Sequence, residues 1–174
     1  FLAAGLTGLF ITADIFNFYV FFEISMIAAY VLVGYGEDRR QFRSAAIFAL
    51  VNLLGSVFYL IGVAGIYSIT GRLDMDGVAA LLRTANETPV LITAALFFIA
   101  FSIKLGLFPF HFWLVSVYTG TRPAVAAMLS GALANIGTYG LIRFGGDILP
   151  RELEYAEPVL IGLGAMSILY GGVQ

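Results

Sequence analysis

Long apolar stretches separated by short polar ones organise this chain, and the stretches do not alternate in and out with a period of two. Uninterrupted runs of about 20 residues predict membrane-crossing helices. Continuity of the runs argues against a transmembrane barrel, whose strands would alternate. The pattern predicts an all-α, polytopic helix bundle with spans at about 15–35, 44–70, 89–117 and 123–144. Partial spans flank them at about 1–12 and 158–174. Both ends lie in apolar runs, so the expectation is an internal fragment, 1–174, of one membrane domain.

Polar residues mark the boundaries. Asp14 follows the first polar break and is a candidate helix cap. The segment 36–43, with Arg39, Arg40 and Arg43, is predicted to be a loop, and its clustered arginines favour the cytoplasmic side. Between Asp76 and Ala85 a short amphipathic helix is expected, with Val78, Leu81 and Leu82 on its apolar face. Pro89 is expected at the first position of the next span. Asn52, Gly55 and Ser56 share one face of the 44–70 span and predict close helix packing. The polar stretch 145–157 is predicted to be a loop, with Pro158 opening the last span.

The 89–117 run carries the most informative interruption. Ser102 to Leu114 places Lys104, Pro109 and the single histidine, His111, inside apolar sequence. Proline removes a backbone donor and clashes with the carbonyl four residues earlier, which predicts a broken helix near Lys104–Leu105. Non-helical backbone at membrane depth persists only where protein or water satisfies it. A buried charge beside such a break is a candidate ion or proton site.

Glu23 is the other deep charge. At 1.5 Å per residue, Glu23 lies roughly 13 Å and Lys104 roughly 22 Å into spans that run the same way. That offset is bridgeable by two long side chains and one water. Opposite charges favour each other's ionised forms, and burial favours the neutral forms. Two roles follow for the pair: a proton relay, or a static ion pair that fixes helix register. His111 suits a carrier between Lys104 and the aqueous side, or an interfacial histidine beside Trp113 in an aromatic belt. Asn135, mid-span, suits interhelical hydrogen bonding or the holding of water.

Composition then narrows the function classes. Of 174 residues, 60% are hydrophobic and 11% charged, against about 25% charged in soluble domains. The net charge of -2 and the lack of a basic stripe give no reason to expect nucleic acid. With no cysteine and one histidine, neither a disulfide framework nor a metal cluster is expected, and no cofactor motif is present. The chain offers no bond-making chemistry of its own, so enzyme activity would belong to a larger redox-driven translocase.

Two segments resemble a known family. Thr12 to Glu23, with Asp14-Ile15-Phe16-Asn17-Phe18, is similar to the glutamate-bearing helix of antiporter-like membrane subunits. Lys104 to Leu114 is similar to their broken lysine-bearing helix. These subunits occur in Mrp-type sodium/proton antiporters, complex I and membrane-bound hydrogenases, and the first segment is most similar to the D-type subunit of the Mrp antiporters. The resemblance implies a whole protein of about fourteen helices with two inverted five-helix repeats, this chain being most of the first. It implies a relay through Glu23 and Lys104, a cytoplasmic 36–43 loop and a prokaryotic plasma-membrane location. It also implies partner membrane subunits, the bilayer, protons and sodium as partners. Two positions depart from the family: Asn135 stands where a lysine is usual, and Val115 where a proline usually follows Phe-Trp-Leu. The expected function is therefore that of a proton-translocating antiporter component of the D type. Alternatives are a proton-pumping subunit of a complex I-like or hydrogenase complex, a structural subunit that has lost translocation, and an organic-solute transporter with a larger polar cavity.

Overall fold

Three aspartates set the frame by capping helices. A computed structural model describes residues 1–36 and 38–173 of the chain. Helix α1 spans Leu2–Ile11, and α2, Ile15–Gly34, starts at Asp14, whose carboxylate accepts from the Asn17 N–H at 2.7 Å. Asp38 caps α3, Arg39–Thr70, and Asp74 caps α4, Met75–Leu82. Each carboxylate satisfies an amide that the first turn leaves without an intrahelical partner. The starts of α2 and α4 are tied by two backbone hydrogen bonds, Ile15 N–H to Leu73 O and Met75 N–H to Ala13 O, both 2.8 Å. Helix α5, Glu87–Leu105, ends at Gly106, which adopts φ 71°, the left-handed geometry glycine tolerates best. After an irregular stretch at 106–111 the chain resumes as α6, Phe112–Gly120.

The rest of the chain is α7, Pro123–Met128, α8, Ala134–Ile142, and α9, Pro150–Val173. A π-helical stretch, Leu129–Leu133, joins α7 to α8, and a second, Arg143–Ile148, follows α8. Among the described residues there is no strand, and five helical stretches are long and apolar enough to cross a membrane: 15–34, 39–70, 87–105, 123–148 and 150–173. The chain is an integral membrane helix bundle with one discontinuous helix, α5–α6.

Several expected boundaries move. Helix α3 begins at Arg39 rather than Ser44, because Asp38 caps it, so the three arginines sit in its first turns; Glu37 of the expected loop lies outside the described residues. Pro89 is the third residue of α5, not the first. The polar stretch 145–157 is mostly helix, interrupted at Leu149, and Pro158 lies inside α9. Leu81 of the short amphipathic helix is 42% exposed, and Met75 joins Val78 and Leu82 in facing the core.

Helix α3 lies at the centre, packing most heavily on α5 and also on α2 and α6. Phe18, Tyr59, Phe97, Phe101 and Phe144 meet edge-on and stacked, with neighbouring ring centroids at 4.9–6.4 Å. Such geometries add to the burial of each ring. The one polar atom of the group is satisfied, since Tyr59 donates to the Ile15 carbonyl at 2.9 Å.

Candidate functional site

Close packing of α3 on α5 builds the site. Asn52, Gly55 and Ser56 share the buried face of α3 predicted from the sequence. Gly55 permits the approach: a Cβ there would stand 3.2 Å from Lys104 Cε and 3.3 Å from Ile103 Cγ2. Lys104 is 5% exposed, one residue from the end of α5. Its side-chain nitrogen donates to the Asn52 carbonyl at 2.8 Å and to Ser56 Oγ at 3.0 Å. It also sits 3.7 Å from the centre of the Phe22 ring, a cation–π distance.

Ser56 connects the two expected charges. Its hydroxyl hydrogen-bonds Glu23 Oε1 and also lies 3.0 Å from the Asn52 carbonyl. Among the described residues no oxygen of Glu23 comes within salt-bridge distance of Lys104. The structure therefore brings Glu23 and Lys104 together through a serine hydroxyl, in the place expected for one water. Ser56, the Asn52 carbonyl and Phe22 are site groups that the sequence pattern does not mark as such. A signal for the first two is present, but small and amide residues in membrane helices usually serve packing.

Two voids flank Lys104, each of about 10 Å³. One is lined by Phe22 and by Phe18, Tyr59 and Phe101 of the aromatic cluster; the other by Asn52, Trp113 and Tyr118 among its walls. A space of this size is at the lower limit for one water. It suits a proton path and is far below the several hundred Å³ of an organic-ligand pocket.

The helix break is satisfied from within. Gly106 N–H donates to Ile103 O at 3.2 Å and Leu107 N–H to Ser102 O at 2.9 Å. Ile103 O also accepts from Trp113 Nε1 at 3.1 Å, and the Phe108 N–H is taken by Ser167 Oγ of α9 at 2.8 Å. The Phe108–Pro109 peptide bond within the break is cis. The carbonyl that holds Lys104 thus belongs to Asn52 on a neighbouring helix. Within the break, the Ile103 carbonyl is engaged by Trp113 and by the glycine turn instead.

Other candidates lie apart from this cluster. His111 packs its ring 5.4 Å from that of Phe108 and 4.3 Å from that of Tyr170, and its Nδ1 is buried without a hydrogen-bond partner among the described residues. No described hydrogen bond joins it to Lys104. Trp113 is 4% exposed and points inward, so it forms no interfacial belt with His111. Asn135 is exposed and donates to Gly131 O of its own helical stretch at 2.7 Å, neither crossing to a neighbouring helix nor facing Lys104. Asp14 is a cap. At the same end, outside the spans, the Arg72 guanidinium 2.7 Å from Asp74 holds that carboxyl below the usual carboxylate range.

Known proteins share this arrangement of helices. The family described as NADH:quinone oxidoreductase/Mrp antiporter, TM, matches residues 12–174. The D-type Na(+)/H(+) antiporter subunit of Alkalihalophilus pseudofirmus is 36% identical over 98% of the chain, and 35% of that protein is covered. The N-type NADH-quinone oxidoreductase subunit of Desulforudis audaxviator is 38% identical over 98% of the chain, with 34% of that protein covered. Among solved structures, respiratory complex I from Thermus thermophilus superposes with TM-score 0.87 at 30% identity, covering 98% of this chain and 36% of that one. The Mrp complex from Dietzia superposes with TM-score 0.78 at 34% identity, covering 86% and 28%. The chain spans about a third of the length of the curated relatives it matches.

Proposed function

The chain belongs to the NADH:quinone oxidoreductase/Mrp antiporter transmembrane family, and from that premise we propose that it carries a proton-transfer site of a D-type component of a cation/proton antiporter. The observation that supports this most is the line Glu23–Ser56–Lys104, hydrogen-bonded end to end inside apolar helices. A hydroxyl both donates and accepts. The Lys104 ammonium can pass a proton to Ser56 Oγ while the serine proton moves to Glu23 Oε1. Neutral amine and neutral carboxylic acid result, and rotation of the hydroxyl resets the line. The reverse passage returns the proton. Intramembrane ionisable pairs commonly mark such routes.

On this reading the whole chain is one membrane unit, most of the first of two inverted repeats. It works with other membrane subunits in a prokaryotic plasma membrane, in contact with lipid, protons and sodium, and the 36–43 segment faces the cytoplasm. Arginines number four at each end, and the cluster of Arg39, Arg40 and Arg43, all exposed, supports the orientation. The void walled by Asn52, Trp113 and Tyr118 lies towards the same end and suits water entry. The aromatic cluster lies towards the other and resists it.

A second reading has support in Asn135: an amide carries no proton, and here it bonds within its own helical stretch. A subunit that keeps the fold without translocation would look the same at that position. The test is reconstitution of the full-length protein with its partner subunits in vesicles that contain a pH-sensitive dye. Loss of transport in Glu23→Ala with assembly intact, and partial retention in Glu23→Asp, is the expected result. Normal transport in Glu23→Ala removes the relay. Sodium dependence of the wild-type rate distinguishes an antiporter from a redox-driven pump.

A further inference from the structure

Among the described residues every arginine–carboxylate pair lies at the Asp14 end of the bundle, where Arg83 alone is exposed and unpaired. At the Asp14 end, Arg72, Arg143 and Arg151 pair with Asp74, Asp147 and Glu152 at 2.7, 3.6 and 3.4 Å. At the other end, Arg39, Arg40, Arg43 and Arg122 are all exposed, and among the described residues no carboxylate lies within 4.0 Å of their nitrogens. The nearest described carboxylate in sequence, Asp38, is engaged as the cap of α3 through the Arg40 N–H at 2.9 Å.

Arg122 comes from a distant part of the chain yet lies at the same end as Arg39, Arg40 and Arg43, where it lines an opening. Gly120 packs against Ser44 and stands 3.8 Å, at its Cβ position, from the Arg40 carbonyl. The end of α6 and the start of α7 therefore abut the first turns of α3. Beside them an open recess of about 700 Å³ is lined by Gly34, Tyr35, Gly36 and Arg122. The Arg122 guanidinium lies 5.8 Å from the centre of the Tyr35 ring. Tyr35 is 69% exposed, so an aromatic ring forms part of the wall of the opening.

Depth decides what can reach it. Helix α3 has 32 residues, about 48 Å at 1.5 Å per residue. That exceeds the hydrocarbon core of about 30 Å and matches the core plus headgroups, about 40–45 Å. The first turns of α3 and the recess beside them therefore fall at the level of the lipid phosphates. Guanidinium groups bind phosphate oxygens through paired N–H donors, and basic recesses between spans suit anionic headgroups.

We propose that this recess binds the headgroup phosphate of an anionic phospholipid. Arg122 is the wall contact, Arg39, Arg40 and Arg43 supply the surrounding field, and Tyr35 packs against the glycerol and upper acyl region. Bound lipid would brace the junction of α3, α6 and α7.

The test uses the full-length protein purified with its partner subunits and placed in nanodiscs of equal phosphatidylglycerol and phosphatidylcholine. Lipid that survives stepwise detergent washing is extracted and quantified. Phosphatidylglycerol should be enriched in the retained fraction. Arg122→Gln should lower that enrichment about fivefold, the effect of one charge near an anionic surface, and Arg39→Gln/Arg40→Gln/Arg43→Gln should lower it further. Arg122→Lys, which keeps the charge, should retain most of it, as should Arg72→Gln/Arg83→Gln at the other end. Absence of enrichment in the wild type, an unchanged Arg122→Gln, or an equal loss from the Arg72/Arg83 variant would overturn the site. Displacement of the lipid by inorganic phosphate would overturn it in favour of a soluble anion.

Discussion

Lys104 holds its side-chain nitrogen 3.0 Å from the hydroxyl of Ser56, and that same hydroxyl is hydrogen-bonded to Glu23. The contact makes a serine the junction of the two charges that the sequence places deep in apolar spans. Ser56→Ala should leave both charges in place but break the line. A hydrogen bond to a charged group is worth about 1.5–3 kcal/mol, so a fall in transport rate of about tenfold or more is expected. Ser56→Thr, which keeps the hydroxyl, should recover most of it. Dye-monitored pH-gradient decay in vesicles checks both, and full activity in Ser56→Ala would leave the serine a packing residue.

Gly55 sets the distance between α3 and α5. Gly55→Leu forces bulk against Lys104 Cε and Ile103, and overpacking of this kind costs about 1–3 kcal/mol. A lower Tm in detergent, with loss of transport, is the expected outcome. An unchanged Tm would show that the helices separate freely.

Much of this site is legible in the sequence because charges in apolar runs stand out. Glu23 and Lys104 are visible by that contrast alone, and the break by Pro109 a few residues on. Ser56 is not, since a hydroxyl in a membrane helix is inexpensive and has a default packing role. Its function depends on α2, α3 and α5 meeting at one level, which no local pattern encodes. The 145–157 stretch misleads for the opposite reason. Asp147, Arg151 and Glu152 look like loop residues, yet they form ion pairs on helical turns. The arginines after Asp38 mislead similarly: a basic run suggests a loop, whereas the aspartate starts a helix there.

The aromatic cluster should act as a seal. Phe101 touches Phe18, Tyr59 and Phe144 and lines a void beside Lys104. Phe101→Ala should destabilise by about 3–5 kcal/mol and open that void to water. The expected signature is a proton leak in the absence of a driving gradient of the coupled ion. A tight vesicle with Phe101→Ala would show that the seal lies elsewhere.

Acid should weaken the capped end of the bundle. The Arg72 pair holds the Asp74 carboxyl below its ordinary value, and the carboxylate also accepts from Gly77 N–H at the start of α4. A carboxyl lowered on folding contributes stability above its unfolded value and loses it as pH falls through its folded one. Wild type and Asp74→Asn should therefore differ in Tm at neutral pH and converge in strong acid. A difference that is constant with pH would mean the carboxylate charge contributes nothing.

Whether Lys104 releases a proton is the central question, and its replacement by arginine asks it most directly. Arginine keeps the positive charge and hydrogen-bonding capacity but does not deprotonate in proteins. A static ion pair tolerates the exchange, whereas a relay does not. The measurement is pH-gradient dissipation in vesicles holding matched amounts of wild-type and Lys104→Arg protein in the complete complex, with assembly and Tm verified for both. Assembly with transport at the level of Lys104→Ala is the predicted result. Near-normal transport with arginine would contradict the relay and make Lys104 a structural charge.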